Sequence, residues 1–238
     1  MQNTPTLADL QRYSVNRAGS AEVLRQSLYD YQVMPAAGAN VFTFFANPVG
    51  QGQSAQSGAA AGVPKTLADT FMTLPSQLPA PLAFLCESIE VHFEPGSVST
   101  AGLFVQNVIG VWNATANAVN SNIGALNDEN AFRQNGYLRF TIGSKDYLIE
   151  GGGMGRFPSK TRFEVDAAFS TNGAATSQYA VTSGKRGGRP YFLDAPLALT
   201  SGQNFTVSLN FPTAVALPST FNAKIGIVLD GYLYRNSQ

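Results

Sequence analysis

The feature that most limits how this chain can fold is a period-two alternation of apolar and polar residues that recurs through most of its length beyond residue 40. In "FLCESIEVHFEPG" (84–96), Ile89, Val91 and Phe93 fall on one side and Ser88, Glu90 and His92 on the other. Successive side chains of a strand point to opposite faces, so this spacing predicts a half-buried β-strand. "GYLRFTIGSKDYLIEGGG" (136–153) repeats the design: Leu138, Phe140 and Ile142 align, Gly143-Ser144 turns the chain, and Tyr147 to Ile149 return. "TRFEVDAAF" (161–169) aligns Phe163, Val165, Ala167 and Phe169.

"PLALTSGQNFTVSLNFP" (196–212) reads as two strands around a tight turn at Ser201-Gly202. Its second strand sets Phe205, Val207, Leu209 and Phe211 against Thr206, Ser208 and Asn210. The last strand, "AKIGIVLDGYLYR" (223–235), differs: Ile225, Ile227 and Leu229 fill one face, while Val228, Tyr232 and Tyr234 make the other apolar as well. A strand apolar on both sides is buried on both sides, either centrally in a sandwich or against another subunit.

Roughly eight to ten such segments, joined by Gly, Pro and Asn turns and without alternating helices, predict an all-β antiparallel sandwich or barrel. No internal repeat of a propeller or solenoid is visible in the sequence. At 238 residues the chain fits one large or two small domains, all-β sandwiches commonly occupy this length as a single unit, and a sizeable core is within reach.

The N-terminal stretch follows a different pattern. Thr6 and Asp9 have capping-box spacing ahead of "LADLQRYSV", and "AEVLRQSLYDY" after Ser20 carries a short stripe of Val23, Leu24 and Leu28. Residues 1–35 are therefore expected to form an arm with short helices, and residues 36–238 the β domain. Within that domain "GQGQSAQSGAAAGVPK" (50–65) has no periodicity, and residues 50–64 are expected to be a flexible loop. The Asn- and Ala-rich stretch 111–136 is open to two readings, a short helix or an extended excursion.

Charge is scarce. Only 13% of residues are charged, about half the usual share, and fifteen basic residues balance fifteen acidic ones. A soluble domain that stands alone normally keeps its charges dense and unbalanced to resist self-association, so this surface fits a protein that sits among copies of itself. Zero net charge also gives no pull toward nucleic acid or anionic lipid. The first twenty residues lack a basic segment followed by an apolar one, and no run approaches the roughly 20 apolar residues of a membrane span.

Residues that could carry chemistry are few. His92 is the single histidine and Cys86 the single cysteine, so a disulfide within the chain, a multi-cysteine zinc site and a several-histidine metal site are all excluded. "NDEN" (127–130) could in form hold calcium, but reads better as a solvated loop or helix start. "EGGGMGRF" (150–157) lacks the Lys-Ser/Thr of a phosphate loop and reads as turn or bulge glycines. "SGKRGGRPYF" (183–192) gathers Lys185, Arg186 and Arg189 in one basic patch, which suits phosphates or an acidic neighbour on one reading and a solvated loop or subunit contact on the other. The sequons at Asn113 and Asn204 carry little weight without a secretion signal. No catalytic constellation, cofactor site or metal site emerges, and an enzyme is not expected.

Taken in order, "KTLADTFMTLPSQLPAPLAFLCESIEVHF" (65–93), "GYLRFTIGSKDYLIEGG" (136–152), "GGRPYFLDAPLALTSGQNFTVSLNFP" (187–212) and "IGIVLDGYLYR" (225–235) give the chain a likeness that covers residues 27–238. It resembles a jelly-roll major capsid protein of an icosahedral, tailless bacteriophage. The resemblance implies a virion protein, made in the host cytoplasm, that self-assembles around the phage genome as trimers or pseudo-hexameric capsomers, with minor capsid or vertex proteins as further partners. A single elaborated roll is expected, since two fused rolls would need about sixteen strands. The expected subunit contacts are Val228, Tyr232, Tyr234, Lys185, Arg186, Arg189, Thr206, Ser208 and Asn210. Arg12, Arg17 and Arg25 are balanced by Asp9, Glu22 and Asp30, so the N-terminal segment is no polybasic genome-packing arm and direct nucleic-acid binding is not expected. The competing reading is a carbohydrate- or receptor-binding jelly-roll module, such as a virion spike or fibre head.

Overall fold

The computed structural model describes residues 21–56, 61–95, 120–158, 161–171, 177–187, 190–218 and 220–236. Ten strands are β1 (Ala21–Met34), β2 (Val41–Phe44), β3 (Ala83–Glu94), β4 (Tyr137–Ile142), β5 (Lys145–Glu150), β6 (Thr161–Thr171), β7 (Ser177–Gly187), β8 (Tyr191–Leu199), β9 (Phe205–Asn210) and β10 (Ala223–Asn236). Among the described residues an α-helix, α1 (Asn120–Gln134), precedes β4.

The strands form two four-stranded antiparallel sheets, a first sheet ordered β1-β10-β3-β8 and a second ordered β2-β9-β4-β5, while β6 pairs with β7 in a two-stranded sheet. The chain is thus an all-β sandwich. Its core joins Leu28, Phe84, Ile89, Val91, Phe93, Ile225, Ile227 and Leu229 of the first sheet to Phe42, Phe44, Leu138, Phe140, Ile142, Phe205, Val207 and Leu209 of the second in one cluster. These are the residues that the alternation places on one face of each strand. In β3 the alternation survives a register shift between Cys86 and Ser88, so Phe84 and Cys86 before it and Ile89, Val91 and Phe93 after it all point inward.

The N-terminal expectation needs correction. The segment after Ser20 is no helix: it is β1, paired with β10 through fourteen residues from Ala21↔Asn236 to Met34↔Ala223. The stripe of Val23, Leu24 and Leu28 is too narrow to sustain an isolated helix, whereas the segment's Val and Tyr residues suit a strand and pairing with the apolar β10 decides the outcome. Residues 21–34 therefore belong to the sandwich; the helix expected after Thr6 lies outside the described residues. The stretch 196–212 is also no hairpin. Although Gly202 turns with φ 75°, β8 pairs with β3 and β9 with β4 and β2, so this connection crosses from one sheet to the other.

The loop expected to be flexible is instead fastened on both sides of residues 57–60. Gly50 N–H donates to Lys65 O (2.8 Å), Ser54 N–H to Val63 O (2.7 Å) and Val49 N–H to Met72 O (2.9 Å). Asp69 organises the loop: its carboxylate accepts from Ser54 Oγ, Thr66 Oγ1, Gln56 Nε2 and the amides of Ala55 and Thr66. From there the segment runs as a strap across the sandwich. Tyr31 N–H donates to Asp69 O and Phe71 N–H to Tyr29 O, covering part of the free edge of β1, and Ser76 joins Phe45 to Phe205 through backbone bonds of 2.8 Å each. The sequence shows no periodicity between residues 50 and 65 because hydrogen bonds to Asp69 hold that loop, while the apolar anchors Met72 and Leu78 come after it.

Candidate functional site

The sandwich offers two outer faces. On the first sheet, register sets Arg25 beside Tyr232 and Leu85, Ser27 beside Asp230 and Ser88, and Tyr31 beside Gly226 and His92. At one end Ala83, Leu85, Tyr232 and Tyr234 make a small second apolar cluster with Val23 and Ala198. Arg25 closes one side of it. Its guanidinium lies 5.2 Å from the Tyr232 ring centre and bridges Asp230 (2.6 Å) and Glu87 (3.0 Å). The same face then turns polar. His92 Nδ1 stands 3.1 Å from Tyr31 Oη and Nε2 3.2 Å from Glu90 Oε2. A carboxylate acceptor places the imidazole proton on Nε2 and leaves Nδ1 to accept from the phenol. Lys224 sits 4.7 Å over the Tyr31 ring and pairs with Glu94 at 3.1 Å.

This array holds one imidazole between a carboxylate and a phenol. Burial, with Glu94 and Glu90 nearby, pushes the Tyr31 phenol well above its ordinary range. Ser88 is fully buried two residues from Glu90, yet its hydroxyl has no hydrogen-bond partner among the described residues, so it is not bonded to His92 as an activated serine is. Cys86 faces the core instead, where burial pushes its thiol up and its Sγ lies 3.5 Å from Ser88 O. Among the described residues no three metal-ligating side chains converge. "NDEN" lies within α1, with Asp128 buried and Glu129 paired to Arg133 at 2.7 Å, so the expectation of a solvated segment does not hold for those two side chains. The glycines of 151–153 make a turn, as expected, in which Gly152 and Gly153 have φ of 86° and 87°.

The outer face of the second sheet is built differently. Register gives the rows Thr43–Ser208–Arg139–Ile149, Val41–Asn210–Tyr137 and Thr206–Thr141–Asp146. Val41 and Ile149 are exposed by 54% and 59%, and Tyr147, on the edge strand β5, by 51%. The two charges in these rows cancel in a bidentate pair, with Arg139 Nε and Nη2 each donating to Asp146 at 2.7 Å. The guanidinium holds the Asp146 carboxyl below the ordinary carboxylate range, helped by the Thr141 hydroxyl. The face is thus uncharged apart from one self-neutralised pair, and apolar near both edges.

The residues expected to meet neighbours divide between these faces. Thr206, Ser208 and Asn210 lie together, half-buried, on the outer face of the second sheet. Val228 is half-buried on the first sheet, but Tyr232 and Tyr234 retain only 9% and 3% of their surface within the single chain. Within the single chain they are already covered by Ala83, Leu85, Val23 and Ala198. Lys185 and Arg186 lie on β7, without described side chains, and Arg189 lies outside the described residues. Sequence reasoning missed Val41, Tyr147 and Ile149 as surface residues; "YLI" in β5 reads as a buried run until the edge position of that strand is known. Comparison with known protein families, characterised proteins and solved structures finds no match to this chain.

Proposed function

We propose that this chain is a major capsid protein that builds an icosahedral phage shell by self-association, and that its sandwich is a single jelly roll. Strand order supports the second part. With the β6–β7 excursion set aside, the remaining eight strands run 1-8-3-6 in one sheet and 2-7-4-5 in the other. Two interlocked Greek keys produce this order when an eight-stranded ribbon rolls on itself. The outer face of the second sheet carries the first part. An exposed sheet face with one self-neutralised ion pair and apolar residues near both edges meets a copy of itself without like-charge repulsion. In a shell each subunit has several neighbours, and about 800 Å² per standard interface side would hide much of such a surface. The work of the protein on this reading is packing, its partners are copies of itself, and it needs neither cofactor nor catalysis.

The test is assembly. Purified protein examined by light scattering and negative-stain microscopy is expected as trimers or larger particles, and Ser208→Arg is expected to reduce assembly with little change in melting temperature. A stable monomer at high micromolar concentration would overturn the reading, and normal assembly of the Ser208→Arg variant would remove this face from it.

A further inference from the structure

The strap is fastened to the sandwich at one more point, and this one is wholly buried. Lys65 Nζ lies 2.6 Å from Asp30 Oδ1, with the two side chains 3% and 1% exposed. Asp30 Oδ2 accepts from the Phe45 amide at 2.7 Å, and the Thr70 hydroxyl hydrogen-bonds the same carboxyl. Phe45 achieves this in a left-handed backbone conformation, φ 67°, that a fully buried aromatic residue rarely adopts. Its carbonyl is tied to Ser76 N–H at the same time. The surroundings thus hold a strained residue so that its N–H points at one carboxyl oxygen.

As an ion pair this arrangement is poorly satisfied. A lysine ammonium has three protons to donate, and among the described residues Asp30 Oδ1 is the single hydrogen-bond acceptor of Lys65 Nζ. Two charges removed from water repay their desolvation only when the remaining protons also find partners. An amide needs much less: one N–H remains on nitrogen, and the one remaining oxygen, Oδ2, already accepts from the Phe45 N–H.

We propose that Lys65 and Asp30 join in an intramolecular amide bond. Lys65 Nζ attacks Asp30 Cγ, so that the Nζ–Cγ bond forms and the Cγ–Oδ1 bond breaks. Oδ1 leaves as water with two of the three ammonium protons, the third stays on the amide nitrogen, and Oδ2 becomes the amide carbonyl. Nothing is oxidised or reduced, and one positive and one negative charge disappear together. The Phe45 N–H points at Oδ2, the oxygen on which charge builds when nitrogen adds, as a donor must to favour such an addition. Contact between the reacting groups in a fixed geometry replaces a bimolecular encounter. Burial also pushes the Asp30 carboxyl above its ordinary range, against the pull of Lys65, toward the protonated form that loses water. The product would tie β1 to the strap across 35 positions of sequence.

The measurement is the mass of the purified, folded full-length chain after denaturation, with β-structure first confirmed by circular dichroism. It is expected to be one water lighter than the sequence requires, to yield a branched tryptic peptide that joins the Asp30 segment to Lys65, and to regain the full mass in Lys65→Met. A wild-type chain of full sequence mass would overturn the proposal. So would a water loss that maps elsewhere, for example to a cyclic imide at Asp230-Gly231. Neither outcome depends on whether the protein assembles, so this inference and the capsid reading stand or fall separately.

Discussion

Single residues carry constraints here that alternation does not reveal. A Cβ on Gly231 would lie 1.9 Å from the Leu85 carbonyl oxygen of the neighbouring strand, where β3 and β10 shift register. Gly143, at the β4–β5 turn, has φ 63° but nothing within 4 Å. Gly231→Ala is therefore expected to destabilise by roughly 3 kcal/mol or more through backbone displacement, and Gly143→Ala by about 1 kcal/mol through conformation alone, as read from denaturant melts. Ser88 gives the opposite sign. Its hydroxyl is buried with no partner among the described residues, so Ser88→Ala removes an unrewarded desolvation and is expected to raise stability by about 1 kcal/mol; a loss in the same melts would mean that the hydroxyl is satisfied. Inward residues such as Ile89, Val91, Phe205 and Val207 are legible from spacing because burial of one face is a local, periodic demand. The register shift near Glu87 and the backbone of Phe45 are not, since each is imposed by a partner distant in sequence.

At the scale of elements, most strands were readable and their partners were not. The segment 196–212 shows two good strands and a turn, yet nothing in it says that they enter different sheets. β1 was misread because three apolar residues at helical spacing outweighed its Val and Tyr content, while its actual partner lies some two hundred residues away. The strap was illegible for another reason, since polar contacts to Asp69 leave no pattern. They do leave a pH signature. Burial by itself would raise the Asp69 carboxyl, but donors from Thr66, Ala55, Ser54 and Gln56 outweigh it and hold the group below its ordinary 3.8. A depressed folded-state value contributes stability that is complete above 3.8 and fades as the pH falls through the lower value. Asp69→Ala is expected to cost about 2–4 kcal/mol at pH 7, to flatten the decline in stability below about pH 4, and to let proteases cut the strap. Equal acid slopes for variant and parent in urea melts would show that Asp69 does not carry this term.

For the whole molecule, only the folded sheets distinguish the tyrosines of β10, already covered, from the residues on the outer face of the second sheet. Alternation supplies what lies inside the sandwich; which outer face stays open depends on which strand ends at an edge, and no window of sequence contains that. One pairing also bears on time. Sheet one begins with β1 and is completed by β10, which lies between β1 and β3 and holds them together. During synthesis β1 and β3 are made more than a hundred residues before β10 begins at Ala223, and until then the sheet is missing its middle. A nascent or prematurely released chain therefore lacks the strand that joins β1 to β3, and its first sheet cannot close.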